Sequence, residues 1–316
     1  MKTGQEPIRL TYYKGVFRLE AHLLVSVSKA YQSRTDYYKQ LVRSGIQDKW
    51  HKSFPVDDQM AEAILRFLKA RCPESVPDFV SDLSQLQAEA LASYQTRAAA
   101  QLGEYLAALK QGRASLANGA KSKLDPTDLL ARMSLDIFLS EENNPGRIPL
   151  VRFAHRVLQG GRRPLLIYVK GLKYRPSHVQ SSFLRRGWGI FRDGHVISLG
   201  FNWHYRWPGL IRLAGSRSAP VFKREAAHEF GHTMGLADAY VVWYRSYEAY
   251  PGSENYLMHS NRELSPEEIR MMFQAQASGR LQHFPYKWSW EKFRQGFRCE
   301  LRRRVEKMAE NRECKK

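Results

Sequence analysis

Residues 224–240 read Arg224-Glu225-Ala226-Ala227-His228-Glu229-Phe230-Gly231-His232-Thr233-Met234-Gly235-Leu236-Ala237-Asp238-Ala239-Tyr240. His228 and His232 stand one helical turn apart, so an α-helix brings both imidazoles onto one face. Two neutral imidazoles on one face make half of a tetrahedral zinc site. Glu229 sits off the ligand line, close enough to hold a water without ligating the ion, as a general base would. Gly235 follows the second histidine by three residues, where a left-handed turn ends a helix and glycine enters it cheaply. The turn lets the chain double back and offer Asp238 as a third, oxygen ligand. A fourth position then stays open for water, the mark of a catalytic rather than a structural zinc site.

From His228 to Asp238 the stretch resembles the extended zinc signature of the metzincin metallopeptidases, in the variant with Asp in place of the more usual third His. About twenty residues on, Asn255-Tyr256-Leu257-Met258-His259-Ser260 resembles the Met-turn that lies beneath the metal in that family. The resemblance covers roughly residues 146–280, with a weaker match near 10–56. It implies an α/β (α+β) fold: a twisted mixed sheet with an antiparallel edge strand, a zinc helix and a C-terminal helix. It also implies Zn²⁺ held by His228, His232 and Asp238, with Glu229 as general base. Gly235 and Met258 support the site, Met258 as an apolar floor. The activity implied is hydrolysis of peptide bonds in a peptide or protein substrate. Some metzincins place a tyrosine after the Met-turn methionine, whereas His259 and Ser260 follow Met258 here. His259 is then either an oxyanion donor or a backbone-bonded, non-catalytic histidine.

The chain has 316 residues, 43% of them hydrophobic, enough for one large domain or two small ones. No apolar run approaches the roughly 18 residues of a membrane span. The start lacks a secretory signal, since the nearest apolar run, Ala21 to Val27, is short and reads better as a strand. Cys72, Cys299 and Cys314 are too few and scattered for a disulfide framework and fit a reducing compartment. The cytoplasm is therefore the expected location, with export by a route that needs no cleaved signal left open. A formal net charge of +19 favours anionic partners. Zinc-finger spacing, helix-turn-helix and RNA-binding signatures are all missing, so nucleic acid is not the expected one.

Val16 to Val27 reads as a strand, and Ala30 to Trp50 as a helix burying Tyr31, Tyr38, Leu41, Val42, Ile46 and Trp50. Residues 1–56 are accordingly assigned to the catalytic domain. His22 and His51 have no partner at ligand spacing. Residues 57–145 read as a helical insertion: a helix from Gln59 to Arg71, a long one from Phe79 to Gln111, and a third that Asp125-Pro126-Thr127-Asp128 caps and that runs to Ser140. The core resumes over 146–282. There Ile148 to Val157 is a strand or short helix, Arg163 to Lys170 a buried strand, Leu184 to Phe191 an edge strand and His195 to Phe201 a further strand. By the resemblance, residues 184–192 receive substrate as an added strand. The aromatic loop Asn202 to Pro208 lines a specificity pocket or plugs the domain. Ser265-Pro266-Glu267-Glu268 starts the last core helix. Residues 283–316 form a basic amphipathic tail, with Trp288, Trp290, Phe293, Phe297 and Leu301 at helical spacing amid arginines. The tail docks on the body or binds an acidic protein or anionic surface.

A zinc peptidase is the leading expectation. Its rivals are a catalytically inactive zinc-containing adaptor and a toxin-like effector peptidase.

Overall fold

A computed structural model describes residues 6–110, 130–141, 164–171, 177–180, 203–243 and 246–285, with short pieces between 290 and 302. Strand β1 (Ile8–Tyr13) turns through Lys14 and Gly15, both at positive φ, into the long strand β2 (Val16–Val27). A 3-10 segment leads to helix α1 (Thr35–Trp50), which is followed by β3 (Lys52–Val56). Helix α2 (Asp58–Arg71) starts at Asp57, whose side chain accepts from the Met60 amide, and α3 (Val76–Lys110) follows. Then come β4 (Ala131–Glu141), β5 (Leu165–Lys170), β6 (His178–Gln180) and β7 (Leu210–Ala214). Helix α4 (Ala219–Thr233), a hairpin of β8 (Tyr240–Trp243) and β9 (Ser246–Ala249), the single turn α5 (Leu257–Ser260) and α6 (Pro266–Ser278) complete the order. The fold is α+β, with a mixed seven-stranded sheet.

The sheet runs β3-β4-β2-β5-β7-β6, with β1 also paired to β2. β4, β2, β5 and β7 are mutually parallel, while β1, β3 and β6 are antiparallel to their neighbours. β2 is the organising strand: its first two thirds pair with β4 and its last third with β5. Alternation along it sends Phe17, Leu19, Ala21, Leu23, Val25 and Val27 inward, all buried. Across one face of the sheet α1 packs on α4 and α2 on α6. Phe273 of α6 meets Phe17, Phe54 and Phe67 there, with ring centroids 4.7 to 6.3 Å apart.

Three strands differ from expectation. The helix expected from Asp125 to Ser140 is, over its described part, strand β4, second from the edge and parallel to β2. Its residues Ala131, Met133, Leu135, Ile137 and Leu139 are buried while Arg132, Phe138 and Ser140 are exposed, a period of two. A central strand of the sheet therefore lies inside the segment 57–145, and α2 packs against the C-terminal helix α6 rather than standing apart. A helical insertion with those bounds does not describe this architecture, and α3 itself packs on the sheet, its buried Phe79 standing edge-on to Tyr12 of β1. The sheet also gains β3 and β7. Pro55 is tolerated in β3 because that strand ends the sheet. The expected features at 143–146, 148–157, 184–192 and 195–201 lie outside the described residues.

No helix among the described residues is long and apolar enough to cross a membrane. In the tail, Trp290, Phe297 and Leu301 are exposed.

Candidate metal centre

Helix α4 begins after Ser218 in extended conformation, with Pro220 in the first turn, and buries Phe222, Ala226, Ala227 and Phe230. Its approach to α1 is close, since a Cβ on Gly45 would collide with the Lys223 backbone. One turn further, the Trp50 indole of α1 donates to the Ala227 carbonyl at 3.1 Å and stands edge-on to Phe230, centroids 5.1 Å apart. Beside the sheet edge, Glu225 accepts from the Ser177 hydroxyl and pairs with Arg217 at 3.1 Å. The same hydroxyl accepts the Ala214 amide at 3.1 Å. The helix carrying both histidines is thus tied at its two flanks before any ligand is considered.

The helix ends where the sequence placed its end. Gly235 takes φ +93, and a Cβ there would meet Ala275 at 2.5 Å and Trp203 at 3.1 Å. Only glycine accommodates both the backbone and the contact. Trp203 is fully buried and donates its indole N–H to the Thr233 carbonyl at 2.8 Å, so this aromatic residue plugs the fold beneath the helix end. The reversed chain is pinned by reciprocal bonds with Gln282: Ala237 N to Gln282 O and Gln282 N to Gly235 O, both 2.9 Å. From it Asp238 turns back toward the histidines.

Three ligand atoms, one each from His228, His232 and Asp238, lie within 4.8 Å of one another, and this is the cluster of that kind among the described residues. The Asp238 Oδ1 is 3.1 Å from His228 Nε2 and 3.4 Å from His232 Nε2. The two rings stand nearly perpendicular, at 87°. Each Nδ1 faces a carbonyl, Leu257 O at 2.9 Å for His228 and Leu236 O at 2.8 Å for His232. A carbonyl only accepts, so each Nδ1 donates, and each Nε2 is left to point at the shared centre. Orientation of ligand histidines by their far nitrogen is how metal sites are built.

Glu229 is buried, and its Oε2 has no hydrogen-bond partner among the described residues. Burial pushes its carboxyl up to about 7, against the pull of the two histidines. Burial lowers His232, but the Asp238 carboxylate outweighs it and holds the imidazole up at about 9. His228 is raised in the same way, burial being overcome by its bond to Asp238. Asp238 is pushed up by burial, yet the two imidazoles prevail and keep it well below the usual carboxylate range. An anionic oxygen and two imidazole nitrogens converging beside an orphaned carboxylate suit a divalent cation with an acid–base group at hand.

Beneath the cluster lies α5. Met258 is fully buried, with its sulfur where a Cβ of Gly231 would stand. His259 bonds to the Ser253 carbonyl at 2.9 Å and its hydroxyl at 3.0 Å, the backbone-bonded alternative of the two expected. Tyr256 donates to Glu267 at 2.9 Å. His22 meets the Ser140 hydroxyl at 2.9 Å and His51 meets Asp136 at 3.4 Å, both apart from the cluster. Of the residues assigned to the site from sequence, His228, His232 and Asp238 converge, Glu229 is buried on the same helix, Gly235 makes the turn before Asp238, and Met258 seats against Gly231. The missed one is Glu268, a fully buried carboxylate whose part beneath the site appears below. Its signal was available in the Ser265-x-x-Glu268 spacing of a capping box, and both halves of that box form.

In comparisons with known proteins, no family model, no curated protein and no solved structure matches the chain.

Proposed function

We propose that the protein is a zinc-dependent peptidase of metzincin-like design, acting on a peptide or protein substrate. The reading is carried by one observation: His228, His232 and Asp238 converge within 4.8 Å beside a buried Glu229 oxygen that no described protein group satisfies. The mixed sheet with an antiparallel edge strand, β6, next to the strand that leads into α4 supports the same design. His228, His232 and Asp238 would hold the ion. When bound, zinc supplies Lewis acidity that polarises the scissile carbonyl and acidifies a water.

The chain's own groups do the rest. Glu229, whose pKa is raised to about 7 by burial, takes the proton of the attacking water and hands it to the leaving amine. Leu257 and Leu236 carbonyls keep the two imidazoles in the ligating tautomer. Met258 closes the floor without ligation.

Metal analysis combined with peptide-library cleavage by the purified protein tests the reading. The expected result is one zinc per chain and cleavage that a chelator abolishes and zinc restores. Zinc without cleavage of any library member would leave a zinc-containing adaptor in its place, and no zinc would remove both.

A further inference from the structure

Glu268 is the most completely buried carboxylate among the described residues, at 0% exposure. Its oxygens accept three backbone amides: Met258 N at 2.7 Å on Oε1, with Ser265 N at 2.7 Å and Leu257 N at 3.3 Å on Oε2. The Ser265 bond closes the capping box of α6 and accounts for one oxygen of a helix cap. The other two bonds have no part in capping α6. They reach back from α6 to consecutive amides of α5.

The carbonyls of that same dipeptide face the metal centre. Leu257 O accepts from His228 Nδ1 at 2.9 Å, and Met258 O accepts from Ala239 N, the neighbour of Asp238, at 2.9 Å. The Met258 N–H and the Leu257 C=O belong to one rigid peptide plane, so fixing that N–H fixes the direction of the carbonyl to which His228 donates. A buried carboxylate accepting several amides also orders them more strongly than a neutral acceptor does.

We infer that Glu268 is a positioning residue for the metal centre, holding the Leu257–Met258 peptide so that the Leu257 carbonyl sets His228. This rests on the metal site proposed above. His232 is outside its reach, being oriented by Leu236 through the Gln282 bridge. Glu268 therefore acts through one of the three ligands, His228.

The test measures zinc affinity of the full chain by competition with a chromophoric chelator, together with the visible spectrum of the cobalt-substituted protein. Glu268→Gln presents an amide N–H₂ to amide donors, so zinc should bind about ten- to a hundredfold more weakly, the scale for partners behind a ligand. The cobalt bands should shift as well. Ser265→Ala removes the cap hydroxyl and leaves the bonds to Leu257 and Met258, so it should lower thermal stability without moving affinity or spectrum. If Glu268→Gln does not fold, Glu268→Asp takes its place, keeping the charge while drawing the oxygens back by one methylene, and a weaker site is again expected. A folded Glu268 variant with wild-type zinc affinity and cobalt spectrum overturns the inference while the metal site stands. Failure of the wild type to bind zinc overturns the site itself, and this inference with it.

Discussion

The sulfur of Met258 fills the space that a Cβ on Gly231 would need, between His228 and His232 in the chain. Trp50 closes the same space from the far side, its ring 3.6 Å from that position. Gly231→Ala should therefore destabilise the fold by about 1–3 kcal/mol, the cost of overpacking a filled core. Met258→Leu, nearly volume-conserving, should cost less than about 1.5 kcal/mol. Urea unfolding of both variants measures the difference, and an alanine at 231 without cost would mean that the sulfur is not seated there.

His228→Ala and His232→Ala should each lose the zinc that survives gel filtration of the wild type. Affinity in the wild type should also depend on pH. In metal-free protein His232 is held up at about 9, so near neutrality it carries a proton that zinc must displace. Affinity should rise as pH climbs toward 9, by up to about tenfold per unit for each proton released. Zinc titrations between pH 6 and 9, as about a thousandfold window for one proton, read the slope; a flat profile would contradict the protonated state.

Glu229→Gln should keep both fold and zinc while hydrolysis falls by about 10²-fold or more. The amide is isosteric and removes the proton acceptor alone. Near-normal turnover with zinc retained would take Glu229 out of the mechanism.

Asp238 is the anionic member of the cluster. Asp238→Ala leaves two imidazoles, a poor site, and should weaken zinc binding. Asp238→His should keep the metal, and because it makes the centre more positive, should move the acidic limb of the pH–rate profile down. An alanine variant with unchanged affinity would reduce Asp238 to a turn residue.

The sequence made the strand β2 and the helices α1, α2, α3, α4 and α6 readable because each carries its own period or cap. β4 was hidden for a local reason. Ala131, Met133, Leu135 and Leu139 are strong helix formers, and the Asp125-Pro126 signal ahead of them resembles a helix start, so propensity masked an alternation that the burial then follows. Pairing with β2 and β3 decides it, and neither neighbour is adjacent in sequence. β7 is short and enters α4 after only four residues, Gly215 to Ser218, which leaves little room for a strand signal. The site was more legible than the sheet, since helix spacing alone carries His228, Glu229 and His232 onto one turn. The capping-box spacing marks Glu268 only as the partner of Ser265; its reach 10 residues back to Met258 leaves no periodic mark.

The strand at the centre of the sheet has a kinetic consequence. His22 on β2 bonds to Ser140 on β4 across 118 residues, and β2 meets β5 further along still. Parallel pairings of such separation close large loops before they return any stabilisation, so folding should be slow for a chain of this size. During synthesis the apolar strand emerges first and waits for both of its parallel neighbours, its edges open to chance pairing with other chains. His228, His232 and Asp238 emerge later than either neighbour, so a metal bound by them would meet strands β2, β4 and β5 that have already left the ribosome.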